Sequence, residues 1–185
     1  MMLHPDIVPG ISRHGSGLFA ARDIPVGAVV WGPCPSCTRL RRAALRTLPE
    51  PSAAWLDEHG YWCRDGSLIL PCGHAHLMNH SCAANVLDAG LAVGIAVRAI
   101  SRGSEVTCDY RTFRYDPPWS FVCACGKPQC AGSVRSASLG MPAGLEETWA
   151  RRVAAALRKA PAAPQPLGMG VLSHGDITEP VRRQR

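Results

Sequence analysis

Between His74 and Asn85 the chain reads HAHLMNHSCAAN, which places three histidines, two asparagines and one cysteine within twelve residues. Imidazole and thiol groups at this density can ligate a metal, exchange protons or satisfy loop backbone, and local spacing does not choose among these roles. A second cluster narrows the chemistry. Cys123, Cys125 and Cys130 form a C-x-C-x4-C set, with Gly126 and Gly132 available for tight turns. Three thiolates leave a tetrahedral zinc site one ligand short, so a fourth must come from elsewhere in the chain. The flanking Gly/Pro-rich segment offers little apolar core, which favours metal ligation over free structural thiols.

Composition sets the frame that must hold these groups. A chain of 185 residues with 46% hydrophobic content suits one buried domain with extensions. Eighteen glycines and sixteen prolines against only 18% charged residues imply many turns and short elements, hence a β-rich body. The formal charge of +6 fits an acidic partner but does not require direct nucleic-acid binding. No apolar run reaches the roughly 20 residues needed to span a bilayer, and MMLHPDIVPG lacks the regions of a signal peptide. The expectation is a cytoplasmic protein making no membrane contact, with a nuclear or nucleoid association as the alternative. Nine cysteines in a reducing compartment point to thiols and metal ligands before disulfides.

The elements follow from pattern. Ser16–Gly32 reads as two short strands about the turn Asp23–Gly27, a hairpin-like opening. Thr38–Leu48 carries leucines and alanine at helical spacing with arginines opposite, giving a basic amphipathic helix ended by Pro49. GSLILPCG and GLAVGIAVRAI are expected strands, with HAHLMNHSCAAN as the loop between them. Gly144–Lys159 is a clear helix, acidic at its start and basic at its end, with Leu145, Trp149, Val153 and Leu157 spaced by four. A Pro/Ala linker, APAAPQPLG, and a mobile basic tail, HGDITEPVRRQR, are expected to follow. Cys34, Cys37, Cys63 and Cys72 remain as separate buried thiols or, alternatively, a second all-cysteine zinc site.

Four motifs in order, HGSGLFAARDIPVG at His14–Gly27, NHSC at Asn79–Cys82, GSEVTCDY at Gly103–Tyr110 and CACGKPQC at Cys123–Cys130, resemble SET-domain lysine methyltransferases with a post-SET cysteine segment. The chain looks like a minimal, bacterial-type member. The resemblance implies a mainly β (α+β) SET domain of β-clip type with a C-terminal pseudoknot over residues 1–118. A post-SET zinc segment over 119–135 follows, and then a C-terminal helix, linker and tail over 136–185. It implies that Cys82 joins Cys123, Cys125 and Cys130 on zinc, and that Gly15, Ser16, Gly17, Leu18, Asn79, His80 and Tyr110 hold S-adenosylmethionine. Tyr110 matches the catalytic tyrosine. Tyr61, Trp62 and Cys108 are candidate walls of a channel for the target lysine, since aromatic faces accept alkyl chains and cations. The implied activity is S-adenosylmethionine-dependent N-methylation of an accessible lysine on a protein partner. The alternatives are methylation of a small amine and a SET-like module without turnover.

The sequence departs from the family pattern at three places. His76 and Leu77 stand where an Arg-Phe pair is common, Cys108 where an aromatic residue is common, and Ala84 where a proline usually precedes the asparagine. These put in question the cofactor contact near His76, the number of methyl groups transferred and the stiffness of the loop. None removes a residue that the chemistry requires.

Overall fold

The computed structural model describes residues 1–168 except Pro35, Cys72 and Leu91. The expected tail from His174 therefore lies outside the described residues, as does the thiol of Cys72. The strands are β1 (Met2–Leu3), β2 (Ile7–Ser12), β3 (Gly15–Ala20), β4 (Val29–Gly32), β5 (Arg39–Arg41), β6 (Tyr61–Trp62), β7 (Ser67–Ile69), β8 (Asn79–His80), β9 (Val86–Asp88), β10 (Gly94–Ala96), β11 (Glu105–Cys108), β12 (Ser120–Val122) and β13 (Ser133–Arg135). The helices are α1 (Arg42–Leu45), α2 (Glu50–His59) and α3 (Leu145–Lys159).

One sheet runs in the order β1-β4-β10-β9-β11-β3-β2, with β8 paired to β11; β5-β7-β6 form a second sheet and β12-β13 a third. Period-two alternation explains why VVW and its neighbours are apolar without interruption. Val30 and Ala96 face the main core, whereas Val29 and Ile95 on the opposite face meet Ala156 and Ala160 from the C-terminal helical segment. Val86 and Leu87 divide in the same way, the latter against Trp149. The helix thus buries a sheet face that would otherwise be wet. Its close seating depends on Gly27, whose φ is +93° and whose missing Cβ would stand 2.8 Å from both Ala156 O and Ala160 N.

The arrangement at β11 positions the site. Cys108 pairs in parallel with both His80 of β8 and Val86 of β9, so the strand passes between them. Residues 81–85, which join those two strands, arch over it. Asn85 fastens the arch, its Nδ2 donating to Glu105 O at 2.8 Å and its Oδ1 accepting from Thr107 N at 2.9 Å. This is the threaded connection that the family resemblance implied, and it is rare because chains seldom pass through their own loops.

Five local expectations are corrected. β3 and β4 exist but do not form a hairpin; β3 pairs with β2 and β11, whereas β4 pairs with β1 and β10. Residues 39–41 form a strand against β7 instead of continuing a helix, leaving only Arg42–Leu45 helical. A helix this short has little stability of its own, so sheet pairing prevails. Pro49 is the N-cap of α2 instead of merely ending its predecessor, its carbonyl accepting from Ser52 N and Ala53 N at 3.0 Å, and Pro51 follows in the first turn, where a proline sacrifices no hydrogen bond. Asn79–His80 is a strand within the presumed loop. Lastly, the Pro/Ala stretch is docked: Gln165 Oε1 accepts from Val29 N at 2.9 Å, and its Nε2 donates to Gly27 O at 2.8 Å.

Candidate active site and cysteine centre

The Asn79 amide sits where three strands converge. Its Nδ2 reaches Glu105 Oε1 at 2.8 Å, Ser16 O at 3.0 Å and Ser12 Oγ at 3.1 Å, tying the β2-β3 turn to β11. A Cβ on Gly17 would stand 2.9 Å from Glu105 Oε1 and 3.1 Å from Asn79 Nδ2, so only glycine leaves this cradle open. Gly15 adopts φ +102° with open space beside it. Gly15, Ser16, Gly17 and Asn79 are therefore brought together, with Gly15 and Ser16 exposed and Gly17 buried. Leu18 is the exception: the whole residue is buried in the main core, between Pro9 and Val106 on the neighbouring strands.

His80 stands beside this cradle and is buried. Its Nδ1 accepts from Tyr110 N at 3.1 Å, which places the ring proton on Nε2, 3.4 Å from Cys82 Sγ. Burial lowers its pKa to about 4, the nearby Asp109 carboxylate opposing the shift and Arg111 adding to it. The imidazole is neutral at physiological pH. It is a structural bridge between the Tyr110 backbone and a cysteine.

Tyr110 opens a short 3-10 turn, Tyr110–Thr112, for which Asp109 serves as the cap. Its hydroxyl donates to Met78 O at 2.5 Å. Burial raises its pKa, and the charges of Cys108, Glu105 and Glu58 act in the same direction, so the hydroxyl stays a donor. Around it stand Phe113, stacked at 5.7 Å between ring centroids, and Trp119 and Phe121 at 6.4 and 6.3 Å. Tyr110, Phe113 and Trp119 line a cavity of about 490 Å³ together with Tyr61. Tyr61 is fixed by donating to Asp88 Oδ2 at 2.7 Å and accepting from Ala92 N at 3.1 Å.

Two expected channel residues are not in this wall. Trp62, adjacent to Tyr61 on a strand, points to the opposite side and packs with Leu56 and Leu68, Arg42 lying 5.0 Å above its ring. Cys108 is wholly buried in the main core and does not line the cavity. His76, by contrast, does line it.

The cysteines form the second part of the site. The thiol sulfurs of Cys82, Cys123, Cys125 and Cys130 lie within 4.8 Å of one another, Cys82 and Cys123 at 3.9 Å. Zinc–sulfur bonds of about 2.3 Å in a tetrahedron separate sulfurs by roughly 3.8 Å, so this donor set fits zinc. Burial opposes ionisation of Cys125, but hydrogen bonds from the Lys127 and Cys82 backbone and from neighbouring thiols bring its pKa down to about 6. Among the described residues no other group of three or more His, Cys, Asp or Glu converges in this way. Cys34 and Cys37 lie 3.1 Å apart by sulfur and stand apart from this centre.

Sequence reasoning passed over the residues that join the two parts. Arg111 lays Nε and Nη2 on the two oxygens of Asp109 at 2.8 and 2.7 Å, buried, with its guanidinium 5.7 Å from the Trp149 ring on α3. The Cys82 and Cys123 thiols lie near enough to help raise its pKa, after the opposing effect of burial and the dominant hold of Asp109. Glu105 and Ser12 likewise escaped notice. Their one signal was position: Glu105, Asp109 and Arg111 lie in or against the GSEVTCDY motif.

A threaded β-rich fold, a glycine-lined cradle beside an Asn-His pair, and a four-cysteine centre define the class of protein. Residues 15–111, more than half of the chain, match the SET domain family. The chain belongs to the SET-domain methyltransferase family and carries a post-SET-like cysteine cluster. Over 67 residues, 32% of this chain, it is 37% identical to the histone-lysine N-methyltransferase ATX2 of Arabidopsis thaliana. That stretch spans only 6% of the plant protein's length. Among solved structures it is similar to a histone methyltransferase candidate of Plasmodium falciparum, at 21% identity and a TM-score of 0.44 over 58% of this chain and 95% of the other. No helix among the described residues is long and apolar enough to cross a membrane.

Proposed function

We propose that this chain is an S-adenosylmethionine-dependent N-methyltransferase that modifies a lysine side chain of a protein partner. The observation that carries this reading is the position of Tyr110. Its backbone is hydrogen-bonded to His80 on the cradle side, while its ring lines the aromatic cavity. Gly15, Ser16, Gly17, Asn79 and His80 do not line that cavity, so Tyr110 joins the cradle to the cavity.

When bound, S-adenosylmethionine supplies an electrophilic methyl group on a sulfonium. The exposed backbone at Gly15 and Ser16 and the Asn79 side chain are the groups that hold it in this reading. Tyr110 presents a hydroxyl oxygen, and Met78 a carbonyl oxygen, where the cavity meets the cradle strand, and there they orient polarised methyl and amine groups. The cavity orders an alkyl chain against aromatic faces. Bringing a lysine from a pKa of about 10.4 to roughly 8 takes about 3 kcal/mol against the ammonium, within reach of burial beside a sulfonium. Zinc on the four cysteines staples the β12-β13 hairpin, and with it Phe121, over His80, whose ring centroid is 5.5 Å away. A small amine is the second reading, favoured by a cavity of about 490 Å³, the size of an ordinary small-molecule pocket.

Titration calorimetry of zinc-replete protein with S-adenosylmethionine tests the cofactor assignment. Saturable binding that Asn79→Ala abolishes supports it; absence of binding by the unaltered chain opposes it.

A further inference from the structure

Acidic side chains outnumber basic ones in the cavity on the Tyr110 side. Asp57, Glu58 and Asp116 line it, and no lysine or arginine does. Its only basic side chains are His59 and His76, and burial lowers the latter's pKa, with His59 nearby acting the same way. Asp57 and Glu58 are exposed on α2, where water and salt screen them. Asp116 is different. It is half-buried among the aromatic rings, and its Oδ2 accepts from Trp119 Nε1 at 2.9 Å. No arginine or lysine among the described residues forms an ion pair with it. Burial raises its pKa to about 7, and the neighbouring charges of Asp88 and Asp57 add to the rise.

A carboxylate left without a cation in a partly enclosed site is costly, and aromatic faces beside it form the surroundings in which an ammonium is best held. We propose that Asp116 is the specificity-determining anion of the cavity, pairing with the cationic side chain of the substrate as it enters and selecting an ammonium over a neutral group. This rests on the reading above that the cavity is the amine's side of the site. Trp119 holds the carboxylate in place, and Phe113, Tyr61 and Tyr110 provide walls for the alkyl chain. The other oxygen of Asp116, Oδ1, is the atom left to meet the substrate. Since the same carboxylate serves a bare or a methylated ammonium, partly methylated lysine is also a substrate class that this cavity accepts.

The test uses the full chain, zinc-replete, and measures binding of n-butylammonium and of neutral n-butanol by ligand-observed NMR. Asp116→Asn keeps an oxygen that can accept from Trp119 and removes only the charge; Asp116→Glu keeps the charge. The unaltered protein is expected to prefer the ammonium over the alcohol by about tenfold. Asp116→Asn loses most of that preference while binding the alcohol as before, Asp116→Glu retains it in large part, and Asp57→Asn changes it by less than about twofold. Equal ammonium affinity in Asp116→Asn and the unaltered chain overturns the proposal, as does a parallel loss of alcohol binding, which marks a packing defect. No methyl transfer enters this readout. A cation preference lost in Asp116→Asn without any lysine methylation contradicts the enzyme reading alone. Unchanged lysine methylation by Asp116→Asn contradicts this proposal alone.

Discussion

The Tyr110 hydroxyl donates to the carbonyl oxygen of Met78 at 2.5 Å, fixing the tyrosine ring against the residue immediately before Asn79. The same tyrosine therefore touches the strand that carries the cradle and the cavity that receives the amine. Tyr110→Phe removes this donor while keeping the stacked ring. Methyl transfer to a lysine peptide is expected to fall on the order of 100-fold, as for loss of one preorganised donor. Affinity for S-adenosylmethionine, measured by calorimetry, should stay within about threefold because the Asn79 contacts are untouched.

The four thiols make metal content a direct prediction. Purified protein is expected to carry one zinc per chain, and Cys125→Ser to lose it, as measured by elemental analysis. Without the metal the hairpin holding Trp119 and Phe121 opens. The midpoint of thermal unfolding should then fall by more than about 5 °C, with weakened cofactor binding.

Gln165 closes backbone groups of the core from beyond α3. Its Oε1 satisfies Val29 N, and its Nε2 donates to Gly27 O and to Ala160 O at 3.0 Å. Gln165→Ala removes the partners of Val29 N and Gly27 O at the edge of the helix–sheet contact, with an expected cost of about 1–3 kcal/mol in denaturant unfolding. Truncation from Pro161 should destabilise the fold as well, contrary to what a free linker predicts.

Asp88 gives stability a pH dependence of known sign. It is half-buried, and burial raises its pKa from 3.8 to about 6, despite hydrogen bonds from Tyr61 and the Gly90 backbone that favour its charged form. The folded chain thus holds a proton that the unfolded chain releases near pH 3.8. This contribution is complete below that pH and is lost as pH rises through about 6. The loss is on the order of 3 kcal/mol. Unfolding free energies across this window should decline more steeply in the unaltered protein than in Asp88→Asn.

Much of the site was legible because motif residues carry their chemistry in their types. The C-x-C-x4-C spacing asked for a distant fourth ligand, the family resemblance named Cys82, and its sulfur lies beside the other three. Asn79, Gly17 and Tyr110 could be named from sequence, but their partners Ser12, Glu105 and the Met78 carbonyl depend on strands brought together over long separations. Trp62 shows a different failure: composition marked it as an aromatic wall, and strand alternation turned it away while Tyr61 turned in. The helix assigned to Thr38–Leu48 had good local spacing, yet Arg39–Arg41 gained more by pairing with β7. Asp116 had no motif at all. Its significance comes from the rings and carboxylates that the fold places around it.

The account turns on whether this chain moves a methyl group to lysine. The most direct measurement incubates zinc-replete protein with S-adenosylmethionine and a lysine-containing protein mixture and follows lysine mass by peptide mass spectrometry, beside Tyr110→Phe. Gains of whole methyl groups on lysine, absent or strongly reduced with Tyr110→Phe, are the expected result. Full cofactor binding with no methylated lysine, or equal methylation by both proteins, would contradict it.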